Sequence, residues 1–272
     1  MRVLVTGGSS GIGLAFARSA AEHGAGLVLV ARDETKLADV ANQLRAEYGV
    51  DVETMTADLA QAGGVDAVAA RLETDDKPID VLVNNAGIAL HASLLDADTA
   101  VQDHAMAIMV TAVLKLSNAA ARAMVRRGAG APQSGHIVNI ASASAWIYVG
   151  NYSAVKRWVV SYTRGLAIEL KGTGVTATVV CPGWVKTAFH ERAGVEPPHL
   201  PGFIWVDADV VAREGLAAAL AGRSVCVPSA KWRLAIFVAQ HGPQAIAETV
   251  SRLLVTSRHS PNRPKKAPDA SL

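Results

Sequence analysis

Short apolar runs alternate with longer stretches in which apolar residues recur every three or four positions, from the start of the chain to about residue 227. The short runs, at 2–6, 26–31, 51–57, 79–84, 135–141, 175–181 and 224–227, are rich in Val, Ile and Leu. Such content suits strands covered on both faces, as in a parallel sheet. Helical periodicity fills the intervals at 11–23, 34–48, 64–73, 97–127, 151–171 and 207–221. Strand and helix in regular alternation, joined by right-handed crossovers, predict an α/β fold: a three-layer, doubly wound parallel sheet in a single domain.

No linker-like stretch divides residues 1–255, and the segment RRGAGAPQSG reads as a loop between helix and strand. Residues 256–272, which follow a last helical stretch AIAETVSRLL, have three prolines, no aromatic residue and a small basic cluster. That composition predicts a disordered tail.

Composition narrows the function classes. Half of the residues are apolar, 18% are charged and the net charge is +2, with Lys and Arg scattered. Such a chain can bury a sizeable core, and it carries no electrostatic footprint for nucleic acid. Cys181 and Cys226 sit in apolar runs with no CxxC or nearby histidine, so buried free thiols are expected and no metal site is. A strand reading from the second residue leaves no room for a secretory signal. The run AMAIMVTAVL stops at Lys115, short of the roughly 18 residues of a membrane span. A cytoplasmic protein without a membrane partner is expected.

The stretch TGGSSGIG, residues 6–13, joins the first strand to the first helix. Gly7 permits a tight turn, Gly11 lets the backbone approach a phosphate, and Gly13 allows the helix to pack closely on the strand. The amides and dipole of the helix start favour a pyrophosphate. The second strand ends in Ala31 and Arg32, where an NAD site usually carries a carboxylate. The planar donor fork of Arg32 suits a 2′-phosphate and points to NADP(H), while Asp33 keeps NAD(H) as the alternative. Asp58 ends the third strand, where its carboxylate could accept from an adenine amino group. NNAG, residues 84–87, ends the fourth, at the expected switch point.

With YSAVK at 152–156, Ser142 and PGWVKT at 182–187, the chain resembles the short-chain dehydrogenase/reductase family over about residues 2–227. The resemblance implies a seven-stranded Rossmann-type sheet and hydride transfer between a nicotinamide and a carbonyl or alcohol. It places cofactor contacts at Gly7, Ser9, Ser10, Gly11, Ile12 and Gly13, then at Arg32, Asp58, Leu59, Asn85, Ala86 and Gly87. Pro182, Gly183, Val185 and Thr187 would wrap the nicotinamide end. Tyr152 and Lys156, four apart on one helical face, would share the catalytic site with Ser142. A phenol is a feeble base near neutrality unless a neighbouring ammonium stabilises its phenolate, and Lys156 supplies one. In the family this lysine also holds the nicotinamide ribose. A homodimer or homotetramer is implied through the helices at 97–127 and 151–171.

Two departures stand out. Tyr152 follows Ser142 by ten residues, against thirteen in many members, so the loop between them is short and Ser144 is the alternative serine. Met109 stands where many members carry an asparagine that kinks the long helix and anchors a proton-relaying water. A thioether cannot do this, which motivates a second reading, a dinucleotide-binding sensor or scaffold with little turnover. Residues 188–208 read as a substrate lid. Within it, His190 and His199 read as surface or packing residues. Trp146, Ile147, Tyr148, Trp184, Phe189, Phe203, Ile204 and Trp205 predict a hydrophobic carbonyl or alcohol substrate, with packing within the protein as the alternative.

Overall fold

The computed structural model describes residues 1–90, 93–95, 98–128, 135–185 and 202–258. Seven parallel strands form one sheet: β1 (Arg2–Thr6), β2 (Gly26–Ala31), β3 (Val52–Thr56), β4 (Val81–Asn84), β5 (Gly135–Ile140), β6 (Val175–Val180) and, at the far edge, Val225–Cys226. Their order is β3-β2-β1-β4-β5-β6 and then Val225–Cys226. Every strand expected from the sequence is present, each trimmed by at most a few residues. The order reverses between β1 and β4, which pair directly with Val5 opposite Val83. The turns after these two strands therefore open into one crevice.

Alternate residues of each strand face opposite layers. Val3 and Val5 of β1 face Phe16, Leu37 and Leu216, on helices α1 (Gly11–Glu22), α2 (Glu34–Tyr48) and a later helix, Ala208–Leu220. Leu4 faces the other way, toward Val68 of α3 (Ala62–Glu73) and Leu116. The long helix expected at 97–127 is three pieces: α4 (Ala100–Met106), a π-helical turn at Ala107–Thr111 and α5 (Ala112–Gly128). Its apolar character continues beyond Lys115, so by length and composition the 29 residues Ala100–Gly128 could cross a bilayer; 61% of the most apolar window is buried within the protein.

After β5 come a 3₁₀ turn, Ala143–Trp146, and α6 (Gly150–Glu169). Beyond β6, two two-residue strands, β7 (Trp184–Val185) and β8 (Trp205–Val206), pair in parallel apart from the main sheet. The helix Ala208–Leu220 is α7, and the edge strand Val225–Cys226 is β9. The last described elements are α8 (Ala230–His241) and α9 (Gln244–Arg258). Helix α8 was not expected; only Ile236 on it is fully buried, so its apolar periodicity is weak. Of the tail expected at 256–272, Thr256, Ser257 and Arg258 belong to α9, and the rest lies outside the described residues.

Candidate active site

The glycine-rich turn follows β1 directly. Gly7 has φ +66° and Gly11 φ +55°, left-handed values that glycine adopts without strain. A Cβ on Gly13 would lie 2.2 Å from the carbonyl oxygen of Gly7, so no side chain fits there. Ser10 caps α1 without a side-chain hydrogen bond and does not consume the first helix amides. Close backbone, open donors and a helix N-terminus make a cradle that could hold a phosphate group. Ser9 is buried, and Ile12 packs against the core.

The turn after β4 locks onto that cradle. Asn85 donates from its side chain to the carbonyl oxygens of Thr6, at 3.0 Å, and Gly7, at 3.3 Å. The backbone amides of Asn85 and Ala86 each donate to Thr6 Oγ1 at 3.0 Å. Thr6 was missed as a site residue, although it opens the TGGSSGIG motif; its hydroxyl joins the two turns. Deeper still, Asn84 donates to Asn139 Oδ1 at 2.9 Å and to Ser117 Oγ at 3.1 Å, while Asn139 donates to Thr163 Oγ1 at 3.0 Å. These four buried groups tie β4, β5, α5 and α6 into one satisfied polar network.

At the end of β2, Arg32 is exposed. Its neighbour Asp33 is the N-cap of α2 and accepts from the amide of Lys36 at 3.0 Å. The carboxylate that kept NAD(H) open thus has a structural occupation. Asp58 accepts from the amide of Ala60 at 3.0 Å, and Leu59 is buried behind it.

Lys156 is buried on α6 and donates to the carbonyl oxygen of Ile140 at 3.0 Å. That bond ties α6 to the end of β5, two residues before Ser142. The ammonium also lies over the Tyr152 ring, 5.6 Å from its centre. Burial pulls the Lys156 pKa down from 10.5 to about 8, with the neighbouring Cys181 opposing the shift. Ser142 and Ser144 share a hydrogen bond of 2.6 Å between their hydroxyls, and Ser142 Oγ accepts from the Ser144 amide at 3.1 Å. Cys181 and Cys226 are free and buried, and burial pushes both thiols up, Cys226 to about 11.

Met109 lies within the π-helical turn and is 1% exposed, packed with Leu90, Ala105 and Val155 in a cluster that Tyr152 and Ala86 also join. Its sulfur would sit 3.3 Å from a Cβ on Gly87. The distortion of the long helix is therefore present with methionine in that position.

On the far side of the crevice, Pro182 and Gly183 follow β6, and Val185 is buried. A Cβ on Gly183 would meet the indole of Trp232 at 1.9 Å, so α8 packs directly on this turn. Trp184 and Trp205 meet edge to face with ring centres 5.9 Å apart. Trp146 is 7% exposed and packs against Val159 and Ile236, so it serves the core rather than a pocket wall; Tyr148 is 59% exposed. Thr187, Phe189, His190 and His199, with most of the expected lid, lie outside the described residues.

Residues 1–196 match the family model for short chain dehydrogenases. Galactitol 2-dehydrogenase (L-tagatose-forming) of Cereibacter sphaeroides is 35% identical over 230 residues, 83% of this chain and 86% of that protein. A short-chain dehydrogenase from Sphingobium yanoikuyae, solved in complex with NADPH, superposes with TM-score 0.77 at 31% identity over 98% of both chains. The bulky-bulky ketone specific alcohol dehydrogenase of Comamonas testosteroni superposes with TM-score 0.74 at 28% identity, covering 90% of this chain and 93% of that one.

Proposed function

The chain belongs to the short-chain dehydrogenase/reductase family, and from that premise we propose an NADP(H)-dependent oxidoreductase of a hydrophobic carbonyl or alcohol, working through Ser142, Tyr152 and Lys156. The observation that carries this reading is the buried Lys156 ammonium, held at the end of β5 and over the Tyr152 ring. A buried, desolvated lysine beside a phenol is costly to keep and useful for proton transfer.

When bound, the nicotinamide cofactor supplies or accepts the hydride. Gly7 to Gly13 would hold its pyrophosphate, Arg32 its 2′-phosphate, Asp58 its adenine, and Asn85, Ala86, Gly87 and the turn at Pro182 to Val185 its nicotinamide half. In reduction, the substrate oxygen gains negative charge. The Ser142 hydroxyl donates to that oxygen, and Tyr152 gives it the phenolic proton. Lys156 stabilises the phenolate left behind. In oxidation the same groups run in reverse.

For NADP(H), the support is Arg32 free of hydrogen bonds and ion pairs among the described residues, and Asp33 occupied as a cap. The Sphingobium relative was solved with NADPH. For a hydrophobic substrate, the support is the Trp184 and Trp205 pair with exposed Tyr148, and the bulky ketone preference named for the Comamonas relative. A homodimer or homotetramer is proposed through α5 and α6, whose surface holds a groove of about 890 Å³ bordered by Leu114, Ala121, Tyr162 and Leu166. A cytoplasmic location is proposed with it.

The test is NADPH oxidation with ketones of increasing apolar size. Rising kcat/KM with apolar surface, lost in Tyr152→Phe while cofactor binding persists, supports the reading. Cofactor binding with no turnover of any carbonyl would favour the sensor that Met109 suggests.

A further inference from the structure

The loop between Ser142 and Tyr152 is held from outside by helix α9. The amide of Tyr148 donates to Ser251 Oγ at 2.8 Å, across 103 positions of sequence. Ser251 is 4% exposed and donates in turn to the carbonyl oxygen of Ala247 at 2.6 Å, so its hydroxyl is committed in both directions. The next amide, that of Val149, donates to Ser153 Oγ at 3.1 Å. Two consecutive loop amides are thus satisfied by serines from two helices, α9 and α6. Beside them Trp146 packs against Ile236 of α8.

Helix α8 also grips the other rim of the crevice. Trp232 lies against Gly183 and donates from Nε1 to the carbonyl oxygen of Ile204 at 3.0 Å, and Lys231 Nζ donates to that of Trp205 at 2.9 Å. The family match ends at residue 196, so both helices lie beyond it. A loop three residues shorter than the common form has less chain with which to satisfy its own amides, and here the missing partner comes from α9.

We infer that Ser251 is a positioning residue: by fixing the Tyr148 backbone it sets the wall of the substrate site and hence the size of carbonyl compound admitted. This rests on the reductase reading above. Tyr148 is the exposed aromatic of the loop, so freeing its backbone amide loosens the side chain that would meet substrate.

The experiment compares full-length wild type, Ser251→Ala and Ser251→Thr. Hydrogen exchange of the segment 146–149 is measured together with kcat and KM for a small methyl ketone and a bulky aryl ketone. Expected for Ser251→Ala are faster exchange at Tyr148, unchanged cofactor affinity, and a loss of about fivefold or more in discrimination between the two ketones, carried by KM. Ser251→Thr, which keeps the hydroxyl, should restore both. Unchanged exchange, or faster exchange with unchanged discrimination, overturns the inference. A wild-type protein that turns over neither ketone overturns the reductase reading first, and this inference with it.

Discussion

The ammonium of Lys156 donates to the carbonyl oxygen of Ile140 at 3.0 Å and lies 5.6 Å from the centre of the Tyr152 ring. One charge is thereby committed to strand β5 and to the phenol at once, in a place from which water is largely excluded. Such an arrangement costs stability and suits the proton transfer proposed for Tyr152.

That cost sets the first prediction. Burial lowers the Lys156 pKa from 10.5 to about 8, so between these values the unfolded chain binds more protons than the folded one. Stability contributed at this group therefore rises with pH through that window, and the penalty is fully present below it. Lys156→Met should lose turnover yet gain up to about 3 kcal/mol of stability at neutral pH, less the lost hydrogen bond. Chemical denaturation at pH 7 and pH 10 checks this: the gain should shrink at the higher pH. In the wild type, the rate of carbonyl reduction should fall as pH rises through about 8.

The second prediction separates Arg32 from Asp33. Arg32→Ala should weaken NADPH relative to NADH by about 1 to 3 kcal/mol, the worth of a charged hydrogen bond. Asp33→Ala should leave cofactor preference unchanged and cost about 1 kcal/mol of stability, because its carboxylate caps α2. Isothermal titration with both cofactors decides it; equal losses for NADPH and NADH in Arg32→Ala would sink the assignment.

The strands, the glycine-rich turn and the placement of NNAG were legible because short continuous runs of Val, Ile and Leu and glycine punctuation are local signals. Arg32 and Asp33 were legible as candidates, but only the capping bond at Lys36 shows what occupies the carboxylate. Thr6 was hidden because threonine is ordinary in a strand, and its role appears only when β1 and β4 pair. Helix α8 was hidden for a different reason: only Ile236 is fully buried, Trp232 and Ala239 are partly buried, and Leu234, Phe237 and Val238 are exposed, so apolar residues occur all round the helix and do not mark one face. Ser251 could not be found at all without the fold, since its partner lies 103 residues away.

A third prediction concerns Met109. The π-helical turn at Ala107–Thr111 forms around it, and its side chain only packs among Leu90, Val155 and Tyr152. Met109→Leu, which nearly conserves volume, should cost less than about 1.5 kcal/mol and keep turnover. Met109→Asn buries an amide among apolar groups and should cost roughly 1 to 3 kcal/mol. Thermal unfolding with kcat measurement checks both; loss of turnover in Met109→Leu would mean that the sulfur itself takes part.

The last prediction concerns the two serines, whose hydroxyls lie 2.6 Å apart. Ser142 sits two residues beyond β5 and accepts the Ser144 amide, so its oxygen is fixed at the strand end while its proton can point to substrate. Ser144, on the 3₁₀ turn, can donate to Ser142 and make that proton more acidic. Ser142→Ala should then cost about 10²-fold in kcat, as for the loss of one polarising donor. Ser144→Ala should cost less than Ser142→Ala, because it removes only the polarisation. The double variant should be little worse than Ser142→Ala alone, since the second hydroxyl acts through the first. Steady-state kinetics on the three variants test the order. A damaging Ser144→Ala with a neutral Ser142→Ala would reverse the assignment, and fully additive losses would mean that each serine meets the substrate separately.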